Sequence, residues 1–402
     1  MECQVASKNK HFMERVTLVL LTCTMTFSQV TASEPGIVRF QQLFDPTDED
    51  LGKLVEQVPR LKIVELSGSE LLTARGIDHL QQIDGLQMLI IGRRTTPLTD
   101  EICHSISQLK ELKSLQLSLP IQSPQQAQIL ASNHSITALE FVGPNINNKT
   151  IENSLPLIQN LKTLNLTATR CEDRTCLMLS EKSKLVSLNI SGISARISNV
   201  GLKHISQMNQ LEELQLIGHF DDQSLSAICD LERLKTLELQ GDHLTADCLE
   251  PIGKLESLEY LSIWGVPITD ESLRFLASTA NLRSLSLNKN LITGSGLIHL
   301  KHLSQLEGLT LKYTPFETQY AHHLKEIDTL RHLNINSREW DQHSPQTYEV
   351  IGTLDQLKQL EGLCWDGKAE EMRKLHEQLP HLHLSNSDVS ISYLPVDNTE
   401  SP

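Results

Sequence analysis

Aromatic residues are scarce: Phe, Tyr and Trp make up 4% of the 402 residues, with three Trp and five Tyr among them. Cationic excess is missing too, since 35 Lys and Arg face 50 Asp and Glu, for a formal charge of −15. No Lys/Arg stripe offsets that balance. An acidic surface opposes phosphate backbones and anionic lipid headgroups, so no nucleic-acid partner is expected. The apolar run Val16 to Phe27 is too short for a stable membrane span. Catalytic signatures are equally absent: there is no phosphate-cradling G-x-x-x-x-G-K, no G-x-S-x-G elbow, no H-E-x-x-H and no C-x-x-C. Each of those spacings brings a nucleophile, metal or phosphate to one point, and without them no turnover and no cofactor are expected.

What the chain has is a clock. Leu258-Glu-Tyr-Leu261-Ser-Ile263 returns as Leu282-Arg-Ser-Leu285-Ser-Leu287 and again as Leu306-Glu-Gly-Leu309-Thr-Leu311. The first Leu or Ile of each block falls at 61, 86, 112, 136, 161, 185, 211, 234, 258, 282, 306, 330, 357 and 382, every interval lying between 23 and 27. Self-similarity at this period predicts a stacked solenoid, in which no unit buries its apolar face alone. It overrides the division into two or three domains that this length suggests, and predicts one elongated domain. Within a repeat the period changes. Leu261-Ser-Ile263 alternates like a strand, Leu273 and Leu276 follow helical spacing, and Ile268-Thr-Asp-Glu-Ser lies between. Ser or Thr recurs at the Thr269 position as Thr73, Thr99, Ser198, Thr245 and Thr293, where a hydroxyl starts a helix. Asp100, Asp173, Asp222 and Asp270 follow it, suited to the positive end of the helix dipole.

These strings resemble leucine-rich repeats of the T-D-x-x-L variety, on the plan shared by ribonuclease-inhibitor-like and cysteine-containing repeats. They are similar to repeats of exported bacterial proteins of the planctomycete type. The resemblance covers residues 36 to 384. It implies an α/β leucine-rich repeat solenoid, a curved horseshoe with parallel strands on the concave face and short helices on the convex face. With about thirteen strands at about 4.8 Å, the inner sheet would run roughly 60 Å. One departure concerns the position eight residues after the first Leu, where such repeats often carry Asn or Cys. Here it holds Ser69, Thr169, His219, Asp242, Val266, Asn290 and Thr314 among others, so less uniform loops are expected.

The ends differ from the middle. Residues 1–32 read as an export signal: Lys8, Lys10 and Arg15 precede the apolar run, and Val30-Thr-Ala32 offers a cleavage site. Met13 is an alternative start. Leu20-Leu-Thr-Cys23 faintly resembles a lipoprotein box, although Thr before the Cys and the apolar residues after it speak against a lipid anchor. An exported monomer is the expectation. Residues 33–60 form an N-terminal capping half-repeat and 61–384 the solenoid with its C-terminal cap. Residues 385–402 form a tail without periodicity, expected to be disordered. Arg338 to Tyr348 is expected to bulge. Six cysteines remain after the leader: Cys103, Cys171, Cys176, Cys229, Cys248 and Cys364. Their number permits disulfides. Yet Cys103 and Cys176 fall at the Leu273 position and Cys171 at the Ile268 position, so buried thiols are expected, with Cys171–Cys176 the one plausible bridge.

Candidate chemistry is thin. His79, His204, His299 and His323 share one helical phase, and His302 and His322 lie beside the last two. Three imidazoles at such spacing can hold a metal. No carboxylate or thiol completes the sphere, so a solvated convex face is expected, with no metal site. Sequons at Asn133, Asn148, Asn165 and Asn189 are read as accidental. On the inner face the central row runs Glu65, Ile90, Gln116, Glu140, Asn165, Asn189, Gln215, Glu238, Ser262, Ser286, Thr310 and Asn334, mostly short polar groups that solvate a sheet. One neighbourhood departs from it. Tyr260 and Trp264 flank a strand, Asn288 and Lys312 follow at the Trp264 position, Tyr313 adjoins, and His332 and Asn336 continue the row. Trp and Tyr dominate interface energetics. The expected function is therefore non-enzymatic binding of a protein or peptide through the concave sheet at these residues. An envelope component binding polysaccharide is the alternative, and a metal-dependent protein using the histidines a remoter one.

Overall fold

In the computed structural model, the residues described are 32–34, 37–68, 70–92, 96–118, 121–191, 196–336, 351–355, 357–361 and 369–385. The leader before Ala32, the segment Arg338 to Tyr348, Cys364 and the tail after Ser385 lie outside them.

Sixteen strands form one sheet in strict sequence order. The first pair, Ala32–Glu34 with Ile37–Phe44, is antiparallel; every later pair is parallel. A parallel neighbour needs a crossover, and from Ile37–Phe44 to His332–Asn336 each strand is joined to the next by a loop, a short helix and a return. The aliphatic clock sets the register. Leu237, Leu261, Leu285, Leu309, Leu333 and Leu360 pair in succession, so one leucine row runs from strand to strand. In the repeat from Leu258, the strand buries Leu261 and Ile263, the loop Val266 and Ile268, and the helix Leu273 and Leu276. One contiguous core results. This is the stacked solenoid that the periodicity predicts, on the leucine-rich repeat plan that the resemblance implies.

The opening unit is the strand Ile37–Phe44 followed by the helix Asp48–Gln57, started by a capping box between Thr47 and Asp50. The closing unit is the helix Ala369–Gln378 and the strand His383–Ser385. Thr73, Thr99, Ser198 and Thr245 cap their helices as the sequence suggests. Thr269 and Thr293 do not. In the three repeats that follow Asp270 the backs are 3-10 helices, Glu271–Ser278, Ser295–His302 and Thr318–Glu326, none with a side-chain cap.

The T-D aspartates also act differently from the dipole expectation. Several reach forward to the next repeat. Asp173 accepts from the Ser198 amide at 2.7 Å, the Ser198 hydroxyl at 2.6 Å and the Gly201 amide at 3.0 Å. Asp222 clasps Thr245 the same way. Asp270 takes four hydrogen bonds, from the amide and hydroxyl of Thr293 and the amides of Gly294 and Gly296. A carboxylate is stabilised by free helix-start amides whichever repeat supplies them. At the strand starts Glu212, Lys235, Glu259, Arg283 and Glu307 alternate in sign, with contacts of 2.8 Å for Lys235–Glu212, 3.9 Å for Arg283–Glu259 and 3.7 Å for Arg283–Glu307.

The cysteines Cys103, Cys171, Cys176, Cys229 and Cys248 are all unbridged, including the Cys171–Cys176 pair, and all but the half-buried Cys229 are buried. Burial pushes the Cys103 thiol up to about 12, away from the thiolate that would react. Among the described residues no helix is long and apolar enough to cross a membrane.

Candidate functional site

Along each strand alternate residues leave the core and face outward. On Tyr260–Trp264 these are Tyr260, Ser262 and Trp264, so the two aromatics share the open face of the sheet. The next strands present Ser284, Ser286 and Asn288, then Gly308, Thr310 and Lys312, then His332 and Asn334, in matching register. Small residues therefore occupy the middle of the patch, and large ones stand at its rims.

Trp264 and Tyr313 are the exposed members, at 39% and 45% of their maximal surface. They come from strands two steps apart, yet their ring centroids lie 5.8 Å apart at 69°, an edge-to-face pair. Such pairing favours aromatics by about 0.5–1.5 kcal/mol beyond area burial. Tyr313 reaches this position because its backbone is left-handed, with φ of 58°. The matching residues one and two repeats earlier are Lys289, φ 53°, and Gly265, φ 72°. At this step the Gly265 amide donates to the Asn288 carbonyl at 2.9 Å, and the Lys289 amide to the Lys312 carbonyl at 2.7 Å. The turn needs a left-handed residue, which glycine supplies freely and tyrosine only at a cost of about 1 kcal/mol.

Asn288 occupies the strand between the two aromatics and is buried, at 8% exposure. Its Nδ2 donates to Ser286 Oγ at 2.8 Å and its Oδ1 accepts the Lys312 amide at 3.0 Å. Both ends are engaged by the sheet, so Asn288 props the patch from beneath. Lys312 and His332 are half-buried on the open face. Asn336 pairs by register with Lys312, but its side chain lies outside the described residues. Tyr260 is half-buried, and its hydroxyl is pushed up to about 12 by burial and by the charge of Glu238, against a hydrogen bond with Ser262. Sequence reasoning thus named the aromatics but missed Lys289 and the left-handed turn. Glycine at 265 was the available sign of that turn.

Elsewhere on the face, burial raises the carboxyls of Glu140 and Glu238 above the ordinary range, and among the described residues no cation offsets it. On the helical side the His322 and His323 rings lie 4.1 Å apart, and His323 stacks on Tyr320. Burial and the neighbouring His322 hold His323 below its usual value, against Glu326. Among the described residues no three His, Cys, Asp or Glu gather where a metal could be held. Asn133 is buried and donates to the Leu109 carbonyl at 2.9 Å, and Asn148 bridges to Glu172 and Thr175. Both sequon amides thus serve the fold.

No family model and no curated protein matches the chain. Among solved structures, an internalin of Listeria monocytogenes aligns over 85% of this chain and 84% of its own, at 21% identity and a TM-score of 0.44. A leucine-rich repeat protein of Leptospira interrogans aligns over 82% and 91%, at 18% identity and a TM-score of 0.44. A second Listeria monocytogenes internalin aligns over 60% and 84%, at 20% identity and a TM-score of 0.38. The in-register leucine rows, not these likenesses, make the chain a leucine-rich repeat solenoid.

Proposed function

We propose that the chain is an exported recognition module that binds a protein or peptide through the open face of its sheet, without chemical turnover. The anchor is the patch of Tyr260, Trp264, Lys312, Tyr313 and His332, with Asn288 beneath and Asn336 at its edge. The observation that carries this reading is the exposed Trp264–Tyr313 pair, 5.8 Å between centroids, on a face otherwise lined by short polar groups. Exposed aromatics cost solubility unless a partner covers them, and Trp and Tyr are the side chains most often found at the energetic centre of an interface.

The test is selection of linear peptides against the full chain, followed by titration of the selected peptides with variants. Trp264→Ala and Tyr313→Ala should each weaken binding about 30-fold, the loss expected at a hot spot. A change below about twofold for both would remove the patch from the interface. An exposed indole beside Ser, Thr and Asn also suits a sugar ring. Retention on cell-wall polysaccharide that disappears with Trp264→Ala, with no peptide selected, would replace the peptide by a glycan.

A further inference from the structure

Resting on that peptide reading, the geometry points to the chemistry of the guest: an extended segment carrying Lys or Arg, laid across the strands from Ser187–Ser191 to Tyr260–Trp264. A basic side chain would sit against Glu238, and a neighbouring one on Trp264.

The open face is electrically lopsided. No outward position on the five strands from Ala138–Val142 through Thr236–His243 holds Lys or Arg, while Glu140 and Glu238 stand there. The nearest strand-start cation, Lys235, is held by Glu212 at 2.8 Å. Glu238 pairs in register with Gln215 on one side and Ser262 on the other, neither of which carries positive charge. A half-buried carboxylate between such neighbours has lost part of its water and gained no counter-ion, which is unfavourable unless a partner brings the charge.

One acceptor on the same face is also left over. Asn189, two strands before Glu238 in the same row, gives its Nδ2 to Gln215 Oε1 at 2.6 Å. Its Oδ1 is buried without a hydrogen-bond partner among the described residues. Guanidinium and ammonium groups are donors only, which suits the carboxylate of Glu238. Glu238 lies one strand, about 4.8 Å, from the strand of Tyr260 and Trp264. A cation at Glu238 therefore falls within one or two residues of a side chain on the indole, and Arg stacks on aromatic faces as well. The overall charge of −15 draws such a segment in from solution.

The experiment uses three pools of fluorescent dodecapeptides, with Lys/Arg, Asp/Glu or Ser/Gln at alternate positions. Each is titrated by anisotropy against the full chain at physiological salt. The cationic pool should bind, and Glu238→Gln should weaken it by at least about tenfold, as truncation of one partner in a desolvated charge pair does. Binding should also fall on mild acidification, because protonated Glu238 no longer attracts a cation, and Glu238→Gln should flatten that fall. Preferential binding of the acidic or neutral pool, sensitive to Trp264→Ala and indifferent to Glu238→Gln, overturns the cationic guest and leaves peptide recognition standing. Cationic binding that ignores Glu238→Gln also overturns it. If no pool binds and wall polysaccharide is retained through Trp264, the peptide reading fails and the cationic guest fails with it.

Discussion

The repeats before and after Asp270 share one core pattern but close their backs differently. From Asp48 to Ile228 the backs are α-helices, most begun by a side-chain cap, as at Thr47, Thr99, Ser123 and Asn147. From Glu271 to Glu326 they are uncapped 3-10 helices, and the closing helix Ala369–Gln378 is α again. A 3-10 helix rises about 2.0 Å per residue against about 1.5 Å for an α-helix, so it is longer and slimmer for the same residues. The aromatic patch stands on this second region. Apolar spacing alone does not choose between the two helices, since Leu202 and Ile205 on an α-helix repeat the three-residue step of Leu273 and Leu276 on a 3-10 helix. At the start of Ser295–His302 the Asp270 clasp takes the place of the missing cap.

Removing the clasp should show the largest difference between the regions. Burial raises the Asp270 carboxyl, but the amides of Gly296, Thr293 and Gly294 and the Thr293 hydroxyl together carry it below the ordinary range. Asp270→Ala should cost roughly 3 kcal/mol, the scale for losing several hydrogen bonds to a charged acceptor. Asp48, more exposed and clasping Thr73 at 2.8 and 2.6 Å, should cost about 1 kcal/mol, close to the exposed limit. Urea melts followed by amide exchange around Gly294 and Gly76 would check both. The sign with pH follows from the depressed value. The stabilisation is complete above the ordinary carboxylate pKa and disappears as pH falls through the lower folded one. Asp270→Asn should lack that acid-sensitive step. Equal losses at both aspartates would dissolve the contrast.

The glycines that receive the clasp sharpen it. A Cβ on Gly296 would meet the Asp270 carbonyl oxygen at 2.2 Å, which is backbone. On Gly76 it would meet the Asp48 Oδ1 at 2.4 Å and the Leu72 Cδ1 at 2.5 Å, both tips of side chains, with the nearest backbone atom, the Asp48 Cα, at 3.2 Å. Gly296→Ala should cost roughly 2 kcal/mol through overpacking. Gly76→Ala should fall within about 1 kcal/mol of zero, because alanine's better helix propensity offsets the disturbed clasp. Thermal melts of the two variants side by side would decide it; a loss at Gly76 as large as at Gly296 would mean that the Asp48 side chain is as fixed as backbone.

How far the sequence reads ahead depends on whether a feature repeats locally or across repeats. Leu261, Ile263, Leu273 and Leu276 are legible because burial imposes a period on a single stretch, and the fold follows from that period. Cys103, Cys171 and Cys176 are legible as core for the same reason. The clasp is written across repeats: Asp48 with Thr73 and Gly76, Asp173 with Ser198 and Gly201, and Asp270 with Thr293 and Gly296. The aspartate lies 23 to 25 residues before the hydroxyl, with the glycine three beyond it. Reading each aspartate against its own helix hides that relation. At the site, Tyr260, Trp264 and Tyr313 were legible from their rarity in a chain with few aromatics. The depth of Asn288 was not, because its hydrogen bonds to Ser286 and the Lys312 amide depend on the next strand. Nor was the meeting of Trp264 with Tyr313 across two strands, which requires the left-handed turn.

The smallest expected effect bears on that turn and separates fold from function. Tyr313 carries a left-handed backbone at a step where Gly265 stands two repeats earlier. Asparagine tolerates that conformation better than tyrosine, without glycine's entropic penalty in the unfolded chain. Tyr313→Asn alone would confound the relief with loss of the contact to Trp264. In a Trp264→Ala background that contact is already gone, so the second substitution isolates the backbone contribution. There Tyr313→Asn should stabilise the chain by about 0.5–1 kcal/mol in urea melts. Stabilisation of that size would show that Tyr313 costs the fold stability, so that its exposed ring serves something other than the core. If the double variant is instead less stable than Trp264→Ala alone, Tyr313 supports the fold, and its place in the patch needs no guest to explain it.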